Sequence, residues 1–212
     1  MTHTVLLTGF GPFPGAPINP TGPLVQALAH RRHPAFVDVR RVGHIFRTSY
    51  RAVDKELPAL IERAKPDALV MFGLASRSRR LRIETRACNA RSLTIPDADG
   101  ELPPTSAIED SGPEWLMLPA PAQQFARAVR ELGLPAASSR DAGDYLCNYL
   151  CWRVGAMAQH PGGPRIATFV HVPPVEPAGP QRARGRSFTL ADLVRAGEAV
   201  VVAALAAART AR

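Results

Sequence analysis

Short runs of apolar, often β-branched residues alternate along the chain with longer segments in which apolar residues recur at helical spacing. The short runs predict strands at 4–8, 37–42, 68–72, around 81–86, 136–139 and 165–172. The longer segments predict helices at 22–31, 50–64, 121–132, 144–159 and 190–209. This alternation is typical of βα units, so we predict the α/β class with a mostly parallel, twisted sheet.

The length of 212 residues and the hydrophobic content of 46% are enough to bury a sizeable core, and we expect a single domain over residues 1–212. The longest apolar stretch, 199–208, is shorter than the roughly 20 residues that cross a bilayer. We therefore expect no membrane partner. The first residues lead directly into the first strand without a basic segment or cleavage site, which predicts a cytoplasmic protein.

The net charge of +8 and the pI near 10.4 suit a nucleic-acid partner. Apart from a cluster between Arg77 and Arg91, however, the arginines are scattered and have no interleaved aromatic residues. We therefore expect no nucleic-acid partner, and a basic binding module stays an alternative function.

Cys147 lies in a segment, 141–152, that follows a predicted strand and opens a predicted helix. If Asp144 is the N-cap, Cys147 falls in the first helical turn, where free N–H groups and the helix dipole favour a thiolate and can stabilise an oxyanion. The alternative is a buried core cysteine, which is our expectation for Cys151. A zinc site of Cys147, Cys151 and His171 lacks a Cys-x-x-Cys pair and a clear fourth ligand, so we expect no metal.

Two further residues suit the chemistry of a cysteine nucleophile. His171 stands at the carboxyl end of a predicted buried strand, and we expect the turn into the Cys147 helix to open from the same edge of the sheet. Glu84 alternates with Arg82 and Arg86 on an extended segment, so both arginines should favour its ionised form, which can fix the tautomer of a histidine. A structural histidine and a surface ladder of salt bridges are the alternatives.

The loop at 9–15 carries Phe10 and Phe13 on a proline-stiffened turn. Its glycine spacing differs from the nucleotide fingerprint, and its prolines cannot donate N–H groups to a phosphate. Two phenylalanines suit the flat face of a small uncharged ring; alternatively, both close the core.

Together these segments resemble the pyroglutamyl peptidase I family, also called pyrrolidone-carboxylate peptidases. The resemblance covers nearly the whole chain and rests on motifs in the family's order. They are LLTGFGPF at 6–13 followed by Asn19 and Pro20, Glu84 with Asn89 and IPD at 95–97, AGDYLCN at 142–148, FVHVP at 169–173 and SFTL at 187–190.

The resemblance implies a three-layer α/β/α sandwich and an enzyme that removes N-terminal pyroglutamate from peptides without a cofactor. Cys147 would be the nucleophile, His171 the general base and then acid, and Glu84 the orienting carboxylate. The expected substrate-binding residues are Phe10, Phe13, Asn19, Leu74, Tyr145 and Leu146. A homo-oligomer, dimer or tetramer, is also implied.

Two departures from the family pattern concern the expected pocket. The family usually has a Gly-Gln-Ala-Gly-Gly-Arg-like loop where this chain reads GLASRSRR at 73–80. Thr94 stands where the family commonly has an arginine, although Arg91 lies three residues earlier. A related cysteine hydrolase that acts on another small N-terminal acyl group is therefore the alternative to a pyroglutamyl peptidase.

Overall fold

The structure, a computed structural model, describes residues 3–13, 15–175 and 187–210. Its strands are β1 (His3–Phe10), β2 (Val39–Phe46), β3 (Ala68–Leu74), β4 (Leu81–Glu84), β5 (Arg86–Cys88), β6 (Trp115–Met117), β7 (Ala136–Ser139) and β8 (Ala167–Val172). Its α-helices are α1 (Thr21–His30), α2 (Tyr50–Ala64), α3 (Ala122–Glu131), α4 (Leu146–Ala158) and α5 (Leu190–Thr210), and Pro34–Phe36 form a short 3₁₀-helix.

Six strands form one sheet in the order β2-β1-β3-β8-β4-β7. The pairings β1–β2, β1–β3 and β3–β8 are parallel, β8–β4 is antiparallel and β4–β7 is again parallel. The prediction of a mostly parallel sheet is confirmed, with β4 and β7 running against the other strands.

Helices cover both faces of this sheet because alternate side chains of its central strands point to opposite sides. Val70 of β3 joins the apolar cluster formed with α1, α3 and α5, whereas Met71 joins the cluster formed with α2 and α4. The predicted three-layer α/β/α sandwich is confirmed. In the ranges that the structure describes, no helix has both the length and the apolar character needed to cross a membrane.

The predicted strand at 81–86 is divided in two. At Thr85 the N–H and the hydroxyl both donate to Ser139 O, at 2.8 Å each, while Thr85 O accepts from Leu118 N at 2.9 Å. These bonds turn the chain out of the main sheet, and β5 pairs with β6 in a separate two-stranded sheet. Strand β6, only three residues long, was not predicted.

Candidate active site

His171 is the second-last residue of β8 and lies at the centre of the main sheet. Its backbone is in register with Gly73 of β3 on one side and with Arg82 of β4 on the other. All six residues of β8 are buried, and Pro173 and Pro174 follow the strand. The sequence prediction of a histidine at the carboxyl end of a buried strand is confirmed.

The route from β7 to Cys147 differs from the prediction. Because β7 runs antiparallel to β8, the turn after β7 does not open from the carboxyl edge of β8, and the expectation of a shared edge was wrong. The loop at 140–145 instead carries the chain to the start of α4. Its bend uses Gly143, which has a φ of +81° and donates its N–H to Asp141 Oδ1 at 2.9 Å.

Cys147 is the second residue of α4 and therefore lies in the first helical turn, as predicted. The N-cap is Tyr145, however, and not Asp144, and the cap uses extended backbone without a side-chain hydrogen bond. Tyr149 N makes the first bond of the helix, to Tyr145 O at 3.0 Å, so the N–H groups of residues 146–148 precede the helical ladder. These donors surround the thiol with positive partial charge.

The side chain of Cys147 is hydrogen-bonded to the His171 ring. Burial alone would lower the pKa of His171, but the negative charge of Cys147, the hydrogen bond to it and the bond and charge of Glu84 raise that pKa to about 9. The imidazole is thus held in its protonated form beside a sulfur nucleophile. A protonated imidazole beside a cysteine sulfur can donate its proton to a leaving group after the sulfur has attacked.

Glu84 holds the opposite side of the imidazole. Its Oε1 accepts from His171 Nδ1 at 2.8 Å, which leaves Nε2 for Cys147, and the carboxylate is fully buried. Arg82 Nε lies 3.2 Å from the same Oε1 and neutralises the buried charge. A surface salt-bridge ladder is therefore excluded.

The predicted second arginine does not take part. Arg86 donates to Arg140 O at 3.1 Å, and its guanidinium lies 4.9 Å from the centre of the Trp115 ring. Its position on β5, beyond the turn at Thr85, removes it from the face that carries Glu84. Of the two arginines expected to favour the ionised carboxylate, Arg82 alone lies beside it.

A cavity of about 750 Å³ opens over Cys147 and His171. All six residues predicted to bind substrate line it: Phe10, Phe13, Asn19, Leu74, Tyr145 and Leu146. The Phe13 and Tyr145 rings lie 5.8 Å apart, and Tyr145 donates its hydroxyl to Pro96 O at 2.9 Å. One wall of the cavity is therefore aromatic and held in place by a hydrogen bond.

Asn19 supports the loop that carries the two phenylalanines. Its Nδ2 donates to Gly11 O at 3.1 Å, and its Oδ1 accepts from the Thr21 hydroxyl at 2.8 Å. The Thr21 oxygen also accepts from Phe10 N at 3.0 Å. These bonds tie the end of β1 to the start of α1 and fix the aromatic wall.

Arg91 lies three residues before Thr94, which stands where the family commonly has an arginine. The Arg91 side chain is hydrogen-bonded to another loop. It donates to Thr105 Oγ1 at 2.8 Å and also to Ala107 O. It is not among the residues that line the cavity. Arg91 therefore does not supply the missing arginine here.

Two residues important to the site were not singled out from the sequence. Asn148, next to the nucleophile, is fully buried, accepts from Cys88 N at 2.9 Å and donates to Cys88 O and Ala90 O at 2.8 and 2.9 Å. It anchors the start of α4 to β5. An asparagine within the apolar helical run at 146–154 was the available signal, since a buried amide requires partners.

Gly73 is the second of these residues. A Cβ at this position would lie 2.7 Å from Cys147 Sγ and 2.5 Å from Phe169 Cζ. The absence of a side chain lets the nucleophile approach the strand beside His171. A glycine inside a buried strand often marks such a close approach, and this was the signal in the sequence.

We expect Gly73→Ala to destabilise the protein by about 1–3 kcal/mol and to slow alkylation of Cys147, because the added methyl group overlaps the sulfur and the Phe169 ring. Urea unfolding and the rate of iodoacetamide labelling measure the two effects. Gly22→Ala is the control, since its Cβ would meet nothing within 4 Å. Wild-type stability and labelling in Gly73→Ala would contradict this packing.

Cys151, one turn after the nucleophile, is a core residue as expected. It is fully buried, and burial, with smaller contributions from the charges of Cys147 and Glu84, raises its pKa well above the ordinary value. It therefore remains a neutral thiol. Among the residues with described coordinates, no group of three or more His, Cys, Asp or Glu side chains is arranged to hold a metal ion.

An open α/β sheet that brings a cysteine, a histidine and a buried glutamate together at one cavity defines an α/β cysteine hydrolase. Comparison with known proteins narrows this class. The chain belongs to the pyroglutamyl peptidase family, whose model matches residues 3–209. The resemblance drawn from the motifs is thereby confirmed.

Individual relatives support the assignment. The chain is 32% identical over 203 residues to the pyrrolidone-carboxylate peptidase of Thermococcus onnurineus, covering 96% of this chain and 99% of the relative. The solved pyrrolidone carboxyl peptidase from Thermococcus litoralis aligns with a TM-score of 0.88 and 28% identity over 99% of this chain and 96% of the other. Pyroglutamyl peptidase I of Bacillus amyloliquefaciens aligns with a TM-score of 0.83 and 26% identity over 96% and 97% of the two chains.

Proposed function

We propose that this chain is a cysteine peptidase that hydrolyses the amide bond after an N-terminal pyroglutamyl residue. The observation that carries the proposal is the Cys147–His171–Glu84 arrangement at the base of the aromatic-walled cavity, in a chain of the pyroglutamyl peptidase family. The roles of the individual residues follow from their contacts.

In the first half of the reaction, Cys147 Sγ attacks the pyroglutamyl carbonyl carbon and forms a tetrahedral intermediate. We assign the stabilisation of its oxyanion to the N–H groups at the start of α4, where Cys147 is the second residue. The C–N bond then breaks, and the leaving amine takes the proton of the His171 imidazolium. This step leaves a pyroglutamyl thioester on Cys147 and a neutral imidazole.

In the second half, the neutral His171 accepts a proton from water, and the resulting hydroxide attacks the thioester carbonyl. Collapse of the second tetrahedral intermediate releases pyroglutamate and the Cys147 thiolate. Throughout both halves Glu84 accepts a hydrogen bond from the Nδ1–H group of His171, so it fixes the tautomer and stabilises the imidazolium. No step requires a metal ion.

Recognition of the acyl group is assigned to the aromatic wall. Phe10, Phe13 and Tyr145 offer apolar faces that suit a flat, uncharged five-membered ring. Leu74 and Leu146 add apolar surface to the same cavity, whereas Asn19 acts through the loop that it supports. A charged N-terminal amine would lose its hydration in this environment without gaining an ion-pair partner from that wall.

The direct test compares a pyroglutamyl reporter amide with its prolyl counterpart, which has a charged ring amine and lacks the lactam carbonyl. We expect wild-type protein to release the reporter from the pyroglutamyl compound and to leave the prolyl compound nearly intact. Failure to hydrolyse the pyroglutamyl reporter at high enzyme concentration would overturn the proposal.

The pH dependence of the reaction should reflect His171. Since its pKa is raised to about 9, its proton is available to the leaving amine below that pH and is lost above it, so kcat/KM should fall as pH rises through about 9. Glu84→Gln removes one of the charges that raise this pKa. We expect that variant to have its alkaline limb at lower pH and a kcat/KM at least roughly 100-fold lower at neutral pH.

The control for this prediction is Glu56→Gln. Glu56 also pairs with a histidine, with Oε2 2.7 Å from His44 Nε2, but lies away from the cavity. Its replacement should leave both the rate and the pH profile unchanged. An alkaline limb that stays in place in Glu84→Gln would contradict the role given to Glu84.

The remaining expectations stay part of this proposal. We propose a single peptidase domain over residues 1–212, a range that extends beyond the described residues. We also propose a cytoplasmic location, no nucleic-acid partner and a homo-oligomer, dimer or tetramer. Sedimentation of the purified protein would measure the oligomeric state.

A further inference from the structure

The connection between β3 and β4 forms a second, basic wall of the cavity. Residues 75–80 of this connection all line the cavity, and they include Arg77, Arg79 and Arg80. Because β8 lies between β3 and β4 in the sheet, this connection crosses over the carboxyl end of β8, next to His171.

The backbone of this basic wall is held by hydrogen bonds. Ala75 N donates to Val172 O at 2.9 Å, and Ser78 N donates to Ala75 O at 2.9 Å. The Ser78 hydroxyl donates to Arg80 O at 2.7 Å. The loop therefore has a defined course at the rim of the cavity.

The charge of the basic wall is not neutralised within the described part of the chain. Arg77, Arg79 and Arg80 are exposed, and their side chains make no ion pair or hydrogen bond with any described residue. Four arginines line the cavity against one exposed carboxylate, that of Asp144. The fourth arginine, Arg82, forms an ion pair with Glu84 and donates a hydrogen bond to Asp141 O.

The two walls flank the nucleophile on opposite sides. The aromatic wall begins at the end of β1, on one side of β3, whereas the basic wall leads to β4, beyond β8. Cys147 Sγ lies between them, against Gly73. A substrate with its pyroglutamyl ring on the aromatic wall and its carbonyl at Cys147 therefore directs its leaving peptide toward the arginines.

We propose that the basic wall makes the enzyme prefer substrates with a carboxylate on the first residue of the leaving peptide. This carboxylate is either an acidic side chain or the free carboxyl group of a pyroglutamyl dipeptide. Guanidinium groups match carboxylates in geometry and charge, and three unpaired arginines also attract an anionic substrate before it binds. The inference rests on the proposed function and names its substrate class.

The test uses two isosteric pairs of substrates. Pyroglutamyl-glutamic acid amide is compared with pyroglutamyl-glutamine amide, and pyroglutamyl-alanine with pyroglutamyl-alanine amide. At about 20 mM salt, we expect kcat/KM to be at least about fivefold higher for the charged member of a pair. The first pair tests a side-chain carboxylate and the second tests a terminal carboxylate. A preference for the charged member of either pair supports the proposal.

Two further measurements assign the preference to the arginines. The ratio within a pair should fall toward one at about 500 mM salt, and also in the triple variant Arg77→Gln, Arg79→Gln, Arg80→Gln. The triple variant Arg32→Gln, Arg40→Gln, Arg63→Gln removes the same charge from exposed positions outside the cavity and should keep the wild-type ratio. A ratio that falls equally in both variants would overturn the local assignment.

Failure of this inference is distinct from failure of the proposed function. Equal cleavage of the charged and neutral members of both pairs by wild-type enzyme would overturn the inference and leave the peptidase in place. Absence of cleavage of all four substrates would overturn both. Since the salt titration uses wild-type protein, the test does not depend on the folding of a variant.

Discussion

Cys147→Ala should lower kcat/KM for a pyroglutamyl reporter by on the order of 10⁴-fold or more. Cys147 is the cysteine of the cavity lining, and its side chain is hydrogen-bonded to the His171 ring. Its replacement by alanine removes the nucleophile that forms the covalent intermediate. Steady-state hydrolysis at equal protein concentrations measures the loss. The folded state should persist, since the substitution removes one partly exposed sulfur atom.

The matched control for this prediction is Cys88→Ala. Cys88 is also a free, half-buried thiol, but it lies on β5 and not in the lining of the cavity. Its replacement should leave kcat/KM within about twofold of wild type. Residual activity of Cys147→Ala close to that of Cys88→Ala would rule out Cys147 as the nucleophile.

His171→Gln should lower kcat/KM by roughly 10³-fold or more, because the leaving amine loses its proton donor and the hydrolytic water loses its base. The glutamine amide can still donate to Glu84, so the buried carboxylate keeps a partner. His171→Ala adds a second readout, since free imidazole can enter the space left by the ring. We expect imidazole to restore part of the activity of His171→Ala.

His44→Ala is the control for the histidine variants. His44 is also paired with a glutamate, Glu56, although through Nε2 and not through Nδ1, and it lies on β2, outside the cavity. This variant should keep wild-type activity and show no response to imidazole. Folded His171→Gln and His171→Ala proteins that keep activity close to that of His44→Ala would indicate a structural histidine.

Periodicity predicted the elements whose ends carry their own local signals. Helix α2 was predicted with both correct bounds because Ser49 caps its start and Lys65, in the left-handed conformation, ends it. Strand β7 was also predicted at its observed bounds. The strand at 81–86 was predicted as one element because the hydrogen bonds that divide it at Thr85 come from Ser139 and Leu118, which are distant in the sequence.

Strand direction explains the main error about the site. Apolar patterning gives no direction to a strand, so the antiparallel course of β4 and β7 could not be read from the chain. The same reversal brings Arg82 opposite His171 and buries Glu84 beside Phe169. The contacts of Glu84 with both Arg82 and His171 are consequences of tertiary pairing, and an isolated sequence segment could not distinguish them from a surface ladder.

The motifs, in contrast, predicted which residues meet. Cys147, His171 and Glu84 come from three separate elements, α4, β8 and β4, and the structure brings all three together. The residues that make the meeting possible were less visible. Gly73 acts because it has no side chain, and Asn148 acts through the hydrogen bonds of its buried amide. Neither effect produces a periodic pattern in the sequence.

The covalent intermediate provides the most direct test of the central claim, that Cys147 is acylated by the pyroglutamyl group. With pyroglutamyl p-nitrophenyl ester the leaving group departs readily, so hydrolysis of the thioester should limit turnover and produce a burst of nitrophenolate. Acid quenching followed by mass spectrometry of the peptides should locate a pyroglutamyl group on Cys147. A pyroglutamyl group on another residue, or undiminished turnover by Cys147→Ala, would contradict the claim.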